Sequence, residues 1–167
     1  MPAVPVRHGV GLRTRQARTD GVDGPVTRLV IDTNIVLDLY VFDDAAATPL
    51  RAALEAGEVE WLATAAMRAE LSRVLGYPKI VPRLAFHART AAGVLAAFDR
   101  HARIVDVPAK ASVTCRDADD QCFIDLAVAH GVCLLSKDKA VRAMRRRMEL
   151  LGAGSASCWP AKDGQRS

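Results

Sequence analysis

The chain has 167 residues, of which 50% are hydrophobic and 25% charged, the balance of a water-exposed protein with a sizeable apolar core. Only 5% are aromatic, so that core has to be built from Ala, Val and Leu, and no run approaches the ~20 apolar residues of a membrane span. A net charge of +4 and a pI of about 9.1 admit an anionic partner without requiring one.

Residues 1–26 are rich in Gly, Pro, Arg and Thr and lack periodicity, which predicts a flexible leader. Up to residue 28 it holds five arginines (Arg7, Arg13, Arg15, Arg18, Arg28) against Asp20 and Asp23. It has no apolar core of the kind a secretory signal needs. The apolar run at 28–33 reads as a buried first strand, 34–41 as a short helix, and 48–56 as a second helix. Pro49 stands near the start of that second helix and Gly57 just past its end. A second strand is expected over 59–63. Thr64 then serves as N-cap of a helix over 65–75, stopped by Gly76-Tyr77-Pro78.

The alanine-rich stretch 82–101 reads as helix, with Leu84, Leu95 and Phe98 as core positions. A third strand is expected at 103–107, closed by Pro108. A strongly periodic helix follows over 119–130 with Gly131 as its C-cap, then a fourth strand at 132–136. The last helix, 139–151, is basic, and 156–159 is read as a fifth, edge strand. Strands alternating with helices imply an α/β domain over 27–160 with a mainly parallel sheet of four to five strands, leaving 161–167 as a tail. Cys115, Cys122, Cys133 and Cys158 show no C-x-x-C spacing. Cys122 and Cys133 lie in apolar runs, so buried free thiols and a reducing, cytoplasmic setting are expected.

Ligands of such sheets sit beyond the carboxyl ends of the strands. Two strands end there in a carboxylate: Leu29-Val30-Ile31 leads to Asp32, and Cys133-Leu134-Leu135-Ser136-Lys137 leads to Asp138. Each aspartate alone is also a plausible helix cap. The helices add two more acids. Asp120 lies three, four and seven residues before Phe123, Ile124 and Ala127, in the middle of an apolar stripe. A carboxylate there is costly unless it is paired or coordinates a cation; the alternative is a helix-start residue bound to free backbone N–H groups, a role for which Asp117 competes. Glu70 lies at the edge of the stripe Met67, Leu71, Val74 and Leu75, with an ion pair to Arg73 as its plainer explanation. Clustered carboxylates repel one another, and a hard divalent cation removes that cost. All-oxygen ligation suits Mg²⁺ or Mn²⁺.

These pieces, in this order, resemble the PIN-domain ribonucleases, in particular the bacterial ones that act as toxins of toxin–antitoxin pairs. I-D-T-N at 31–34 resembles the opening motif and carries over Asp32. A-E-L-S-R-V-L at 69–75 carries over Glu70. C-R-D-A-D-D-Q-C-F-I-D-L-A-V-A-H-G at 115–131 is the most distinctive; its spacing to Gly131 selects Asp120, with Asp117 as a reserve ligand. L-L-S-K-D-K-A at 134–140 carries over Asp138. The resemblance covers roughly 28–160 and implies a three-layer α/β/α sandwich and a metal-dependent endoribonuclease. Asp32, Glu70, Asp120 and Asp138 would hold Mg²⁺ or Mn²⁺ directly or through water. Thr33, Asn34 and Ser136 would orient them or bind a phosphate oxygen. Lys137, Lys139, Arg142, Arg145 and Arg146 would hold the RNA backbone. Expected partners are an RNA and an antitoxin on a separate chain, with homodimerisation left open and no membrane.

Two other readings compete. A haloacid-dehalogenase-like phosphatase also begins with a strand ending in Asp, but needs a second acid two residues on, where this chain has Asn34. A catalytically silent PIN-like module that binds RNA or protein is the second; the presence of all four acids argues against it.

Overall fold

An apolar run such as Leu29-Val30-Ile31 has no polar alternation, so it needs cover on both faces. In the computed structural model, which describes residues 26–160, it has that cover. β1 (Thr27–Ile31) lies at the centre of a five-stranded sheet of order β3-β2-β1-β4-β5, and every pairing is parallel. The other strands are β2 (Val59–Ala63), β3 (Ala102–Ile104), β4 (Cys133–Leu135) and β5 (Gly154–Ala156). Helix α1 (Thr33–Tyr40) follows β1 directly. After a 3-10 turn at Ala45–Ala47, α2 (Thr48–Glu55) leads into β2. Between β2 and β3 run α3 (Ala65–Val74), α4 (Val81–Phe86) and α5 (Ala91–His101). A 3-10 turn at Ala118–Asp120 opens α6 (Gln121–His130), which packs on β1 and β4. α7 (Lys139–Arg142) and α8 (Arg145–Leu150) precede and pack on β5.

Right-handed crossovers that run from β1 through β2 to β3 lie on one face. The return to β4 and β5 reverses direction and puts its helices on the other face. The result is a three-layer α/β/α sandwich. Its core is aliphatic, as the composition requires: Val30, Leu39, Leu62, Ile124, Leu126, Ala127, Leu134 and Met148 have no measurable exposure. One aromatic anchor is added on the β2 side, where Trp61 meets Phe98 edge-on with ring centroids 4.9 Å apart.

Several sequence expectations need correction. The stretch 82–101 is two helices: Ala88 turns the chain through φ 54° and the Thr90 side chain caps a new helix at Gly93 N–H. Val94 and Ala97 take the core places beside Phe98, and Leu95 is only half-buried. β3 begins at Ala102 and is three residues long, at the sheet edge beside β2. The basic helix 139–151 breaks at Ala143–Met144 into α7 and α8. β5 lies at 154–156 rather than 156–159. All four cysteines are free, but Cys122 is exposed and Cys133 half-buried; Cys115 is the buried one. The leader expected at 1–26, apart from Val26, and the tail 161–167 lie outside the described residues.

Candidate metal centre

A sheet of order 3-2-1-4-5 has its switch point between β1 and β4, where the chain leaves in opposite directions and a crevice opens at the carboxyl ends. Both strand-end aspartates fall there. Asp32 is the residue after β1 and is 4% exposed; its N–H donates to Leu135 O of β4 at 2.9 Å. Ser136, the residue after β4, is 1% exposed. Its hydroxyl donates to Asp32 Oδ2 at 2.6 Å and accepts the N–H of Asp138 at 3.1 Å. One buried hydroxyl thus ties the two strand ends together. Asp138 is half-buried and spends one oxygen on the α7 cap, accepting Ala140 N–H at 2.8 Å.

The 3-10 turn before α6 brings the third motif to the same place. Asp117 caps that turn by accepting Asp119 N–H at 2.9 Å, which frees Asp120 from the capping role. Asp120 is 6% exposed on the buried stripe with Phe123, Ile124 and Ala127, and although it stands at the N-cap position of α6 its side chain makes no capping hydrogen bond. Carboxylate oxygens of Asp117, Asp120 and Asp138 lie within 4.8 Å of one another. Glu70, half-buried on α3, stands at the rim outside this tight group. It has no ion pair among the described residues, with Arg73 or any other cation; burial pushes its carboxyl up, Arg73 opposes this, and the charges of Asp119 and Asp32 add to it. Thr33 is half-buried and Asn34 exposed on the first turn of α1, beside Asp32. Asp125 belongs to the scaffold, accepting Ala111 N–H at 2.9 Å and Gln121 Nε2 at 2.8 Å.

The electrostatics are those of carboxylates held close without a counter-charge. Burial pushes Asp32 up, against the Ser136 hydroxyl and the Asn34 amide, with Asp138 adding repulsion. Asp120 is pushed up to about 8, first by burial, then by its hydrogen bond to Asp138 and by the charges of Asp32, Asp138 and Asp117. Asp120 Oδ2 is buried with no hydrogen-bond partner. Orphaned buried carboxylate oxygens are costly. An all-oxygen set of this kind fits a hard divalent cation, whose opposed oxygen ligands stand about 4 Å apart.

The basic residues divide into two groups. Lys137 forms an ion pair with the buried Asp38 of α1, Nζ to Oδ2 2.5 Å, and Arg145 pairs with Glu149 at 3.1 Å. Lys139, Arg142 and Arg146 are exposed and carry no ion pair among the described residues. Sequence reasoning missed the Asp38–Lys137 pair, for which the only signal is an aspartate inside the apolar run of α1. No helix of the described residues is long and apolar enough to cross a membrane.

No curated protein and no solved structure matches the chain at a significant level. A family model described as the PIN domain matches residues 28–140, a span that runs from the start of β1 to the start of α7 and contains every acid of the cluster. PIN domains are generally nucleases that use divalent metals, and the acids, the switch point and the sheet order agree with that fold: the chain belongs to the PIN-domain family.

Proposed function

We propose that the chain is a divalent-metal-dependent endoribonuclease that hydrolyses RNA phosphodiester bonds with Mg²⁺ or Mn²⁺, and that it acts in the cytoplasm as the toxin of a toxin–antitoxin pair. The observation that carries the nuclease reading is the convergence of Asp117, Asp120 and Asp138 within 4.8 Å beside Asp32, with Asp120 Oδ2 left without a partner. When bound there, the cation supplies an acidified water and neutralises charge on the phosphoryl group. Asp32, Asp120 and Asp138 would hold it, and Asp117 and Glu70 would add ligands, directly or through water. Ser136 is a positioning residue, because its hydroxyl sets the Asp32 carboxylate relative to Asp138. Lys139, Arg142 and Arg146 bind RNA phosphates, with Lys137 and Arg145 adding charge beyond their own ion pairs. The toxin role rests on the ordered set of motifs, and its counterpart is an antitoxin on a separate chain.

The test is cleavage of a labelled single-stranded RNA by the purified chain with Mn²⁺, with Mg²⁺ and with chelator. Cleavage is expected with a cation and is lost with chelator. Asp32→Asn keeps the acceptor for Ser136, so the fold should stay intact while the rate falls by at least about 100-fold. A wild-type rate from Asp32→Asn would remove Asp32 from the mechanism. Induced expression should arrest growth for the parent and not for Asp32→Asn; unhindered growth with an active enzyme would end the toxin assignment.

A further inference from the structure

Helix α1 buries six consecutive residues, Ile35 to Tyr40, and five of them are apolar. The sixth is Asp38, 8% exposed, whose Oδ2 meets Lys137 Nζ at 2.5 Å. The pair stands at a small cavity of about 40 Å³ whose other lining is mainly apolar, with Ile35, Leu50, Leu135 and Trp159. Two well-packed apolar side chains in such surroundings would hold α1 to the end of β4 about as firmly. The charges therefore point to a demand for one geometry rather than for stability alone.

The geometry that the pair fixes is that of the segment 136–138. Backbone pairing at the end of β4 stops at Ser136, whose N–H donates to Ala156 O at 2.9 Å. It resumes at Asp138, whose carbonyl accepts from Val141 and Arg142 as α7 begins. Lys137 lies between them, outside any helix or strand. The Ser136 hydroxyl ties this segment to Asp32. By itself that tie is a pivot, about which the following peptide turns. The Asp38–Lys137 pair is a second tie, and it returns to the same helix, because α1 starts at Asp32. The contacts close a ring: Asp32 to Ser136 through the hydroxyl, on to Lys137 along the chain, across to Asp38 through the ion pair, and back to Asp32 along α1. Asp138 is the next residue out from that ring. One of its oxygens is committed to Ala140 N–H. The direction of the 137–138 peptide then decides how its carboxylate meets Asp120 and Asp117.

We infer that Asp38 is a positioning residue of the proposed metal centre: through Lys137 it sets the Asp138 carboxylate against Asp120. The inference rests on the reading of the acids as a cation site, since a ligand set is what needs that alignment. Loss of a group that orients metal ligands costs about 10- to 100-fold in metal affinity. Lys137 gains by this a duty separate from contact with RNA.

The test is Mn²⁺ calorimetry on the full chain through a double-substitution cycle of Asp38→Asn and Lys137→Met, with thermal unfolding in chelator to monitor each fold. Asp38→Asn removes the charge and keeps the shape. Lys137→Met leaves Asp38 buried and uncompensated, so the double variant, which removes both charges, is the one expected to keep its midpoint. Each single substitution should weaken Mn²⁺ about tenfold. The double variant should lose no more than either alone, because all three lack the same tie. Lys137→Arg keeps the charge and should recover part of the affinity. In chelator, the amide resonances of Ser136, Asp138 and Ala140 should shift in Asp38→Asn, a readout that owes nothing to the cation. A parent that binds Mn²⁺ and an Asp38→Asn variant with equal affinity and unmoved resonances would overturn this role alone. A parent that binds no Mn²⁺ would overturn the cation site, and this role with it. Additive losses in the double variant would also overturn it. So would a Lys137→Met variant that binds Mn²⁺ like the parent and loses only RNA affinity, since Lys137 would then be a phosphate contact.

Discussion

Asp120 shows how a single side chain can oppose folding and serve a site. It lies on the stripe that α6 buries against β1 and β4, so in the unfolded chain its carboxyl titrates near 3.8 and in the folded chain near 8. The folded state therefore binds the proton more tightly. Stability of the cation-free protein is fully present below about pH 4 and falls as pH rises through about 8. Asp120→Asn cannot ionise, so its unfolding midpoint in chelator should fall less across this range than the parent's and be higher than the parent's at pH 8, while Asp32 and Glu70, also pushed up by burial, still titrate in both. Parallel pH profiles for the two proteins would contradict the assignment of burial as the cause. The same substitution should cost cation affinity at least about tenfold, because a ligand is lost, and parent affinity for Mn²⁺ should rise with pH as binding displaces the proton. Ser136 works in the opposite sense, stabilising ionised Asp32 through a 2.6 Å hydrogen bond.

At the scale of elements, the site depends on where helices start. Thr64, 3% exposed, ends β2 and caps α3 by accepting Met67 N–H at 3.3 Å. That cap sets the rotation of α3, and with it the side on which Glu70 meets Asp32 and Asp119. Thr64→Ala should lower unfolding free energy by about 1 kcal/mol, with Thr64→Ser recovering most of it, as read by denaturant unfolding. An unchanged midpoint would mean that β2 alone orients α3. Asp138 plays two parts, since one oxygen caps α7 while the residue adds a ligand to the cluster. Gly131, at φ 64°, closes α6 in a left-handed conformation that returns the chain to β4.

The whole molecule places charges of opposite sign side by side. The switch point between β1 and β4 gathers the acids, and α7 and α8 leave that point carrying Lys139, Arg142 and Arg146. Without a cation the acids repel RNA phosphates; the flanking cations offset this within about one Debye length, ~10 Å at 0.1 M salt. Each phosphate contact to single-stranded RNA contributes about 0.7 to the slope of log affinity against log salt. Replacing Lys139, Arg142 and Arg146 together by Gln should therefore reduce that slope by about 2, as measured by anisotropy of a labelled RNA with Asp32→Asn in the background. An unchanged slope would make those residues an ordinary solvated face.

What the sequence by itself determined is local. An apolar run that stops at an aspartate, as at Ile31-Asp32, marks the end of a buried strand. Asp120 among Phe123, Ile124 and Ala127 marks a carboxylate aimed inward. Thr64 and Gly131 mark helix ends by their own chemistry, and the boundaries of β2 and the cap of α3 follow within a residue. The break between α4 and α5 was also written in local chemistry, as Thr90 three residues before Gly93, but the alanine-rich periodicity masks it. Only the tertiary structure decided which acids come within 4.8 Å, because β1 and β4 are neighbours a hundred residues apart in sequence and no local signal encodes strand order. That adjacency brought in Asp117 and left Glu70 at the rim. It was likewise that long-range adjacency, with α1 leaving β1 beside the end of β4, that joined Asp38 to Lys137, residues whose own neighbours along the chain say nothing of a shared ion pair.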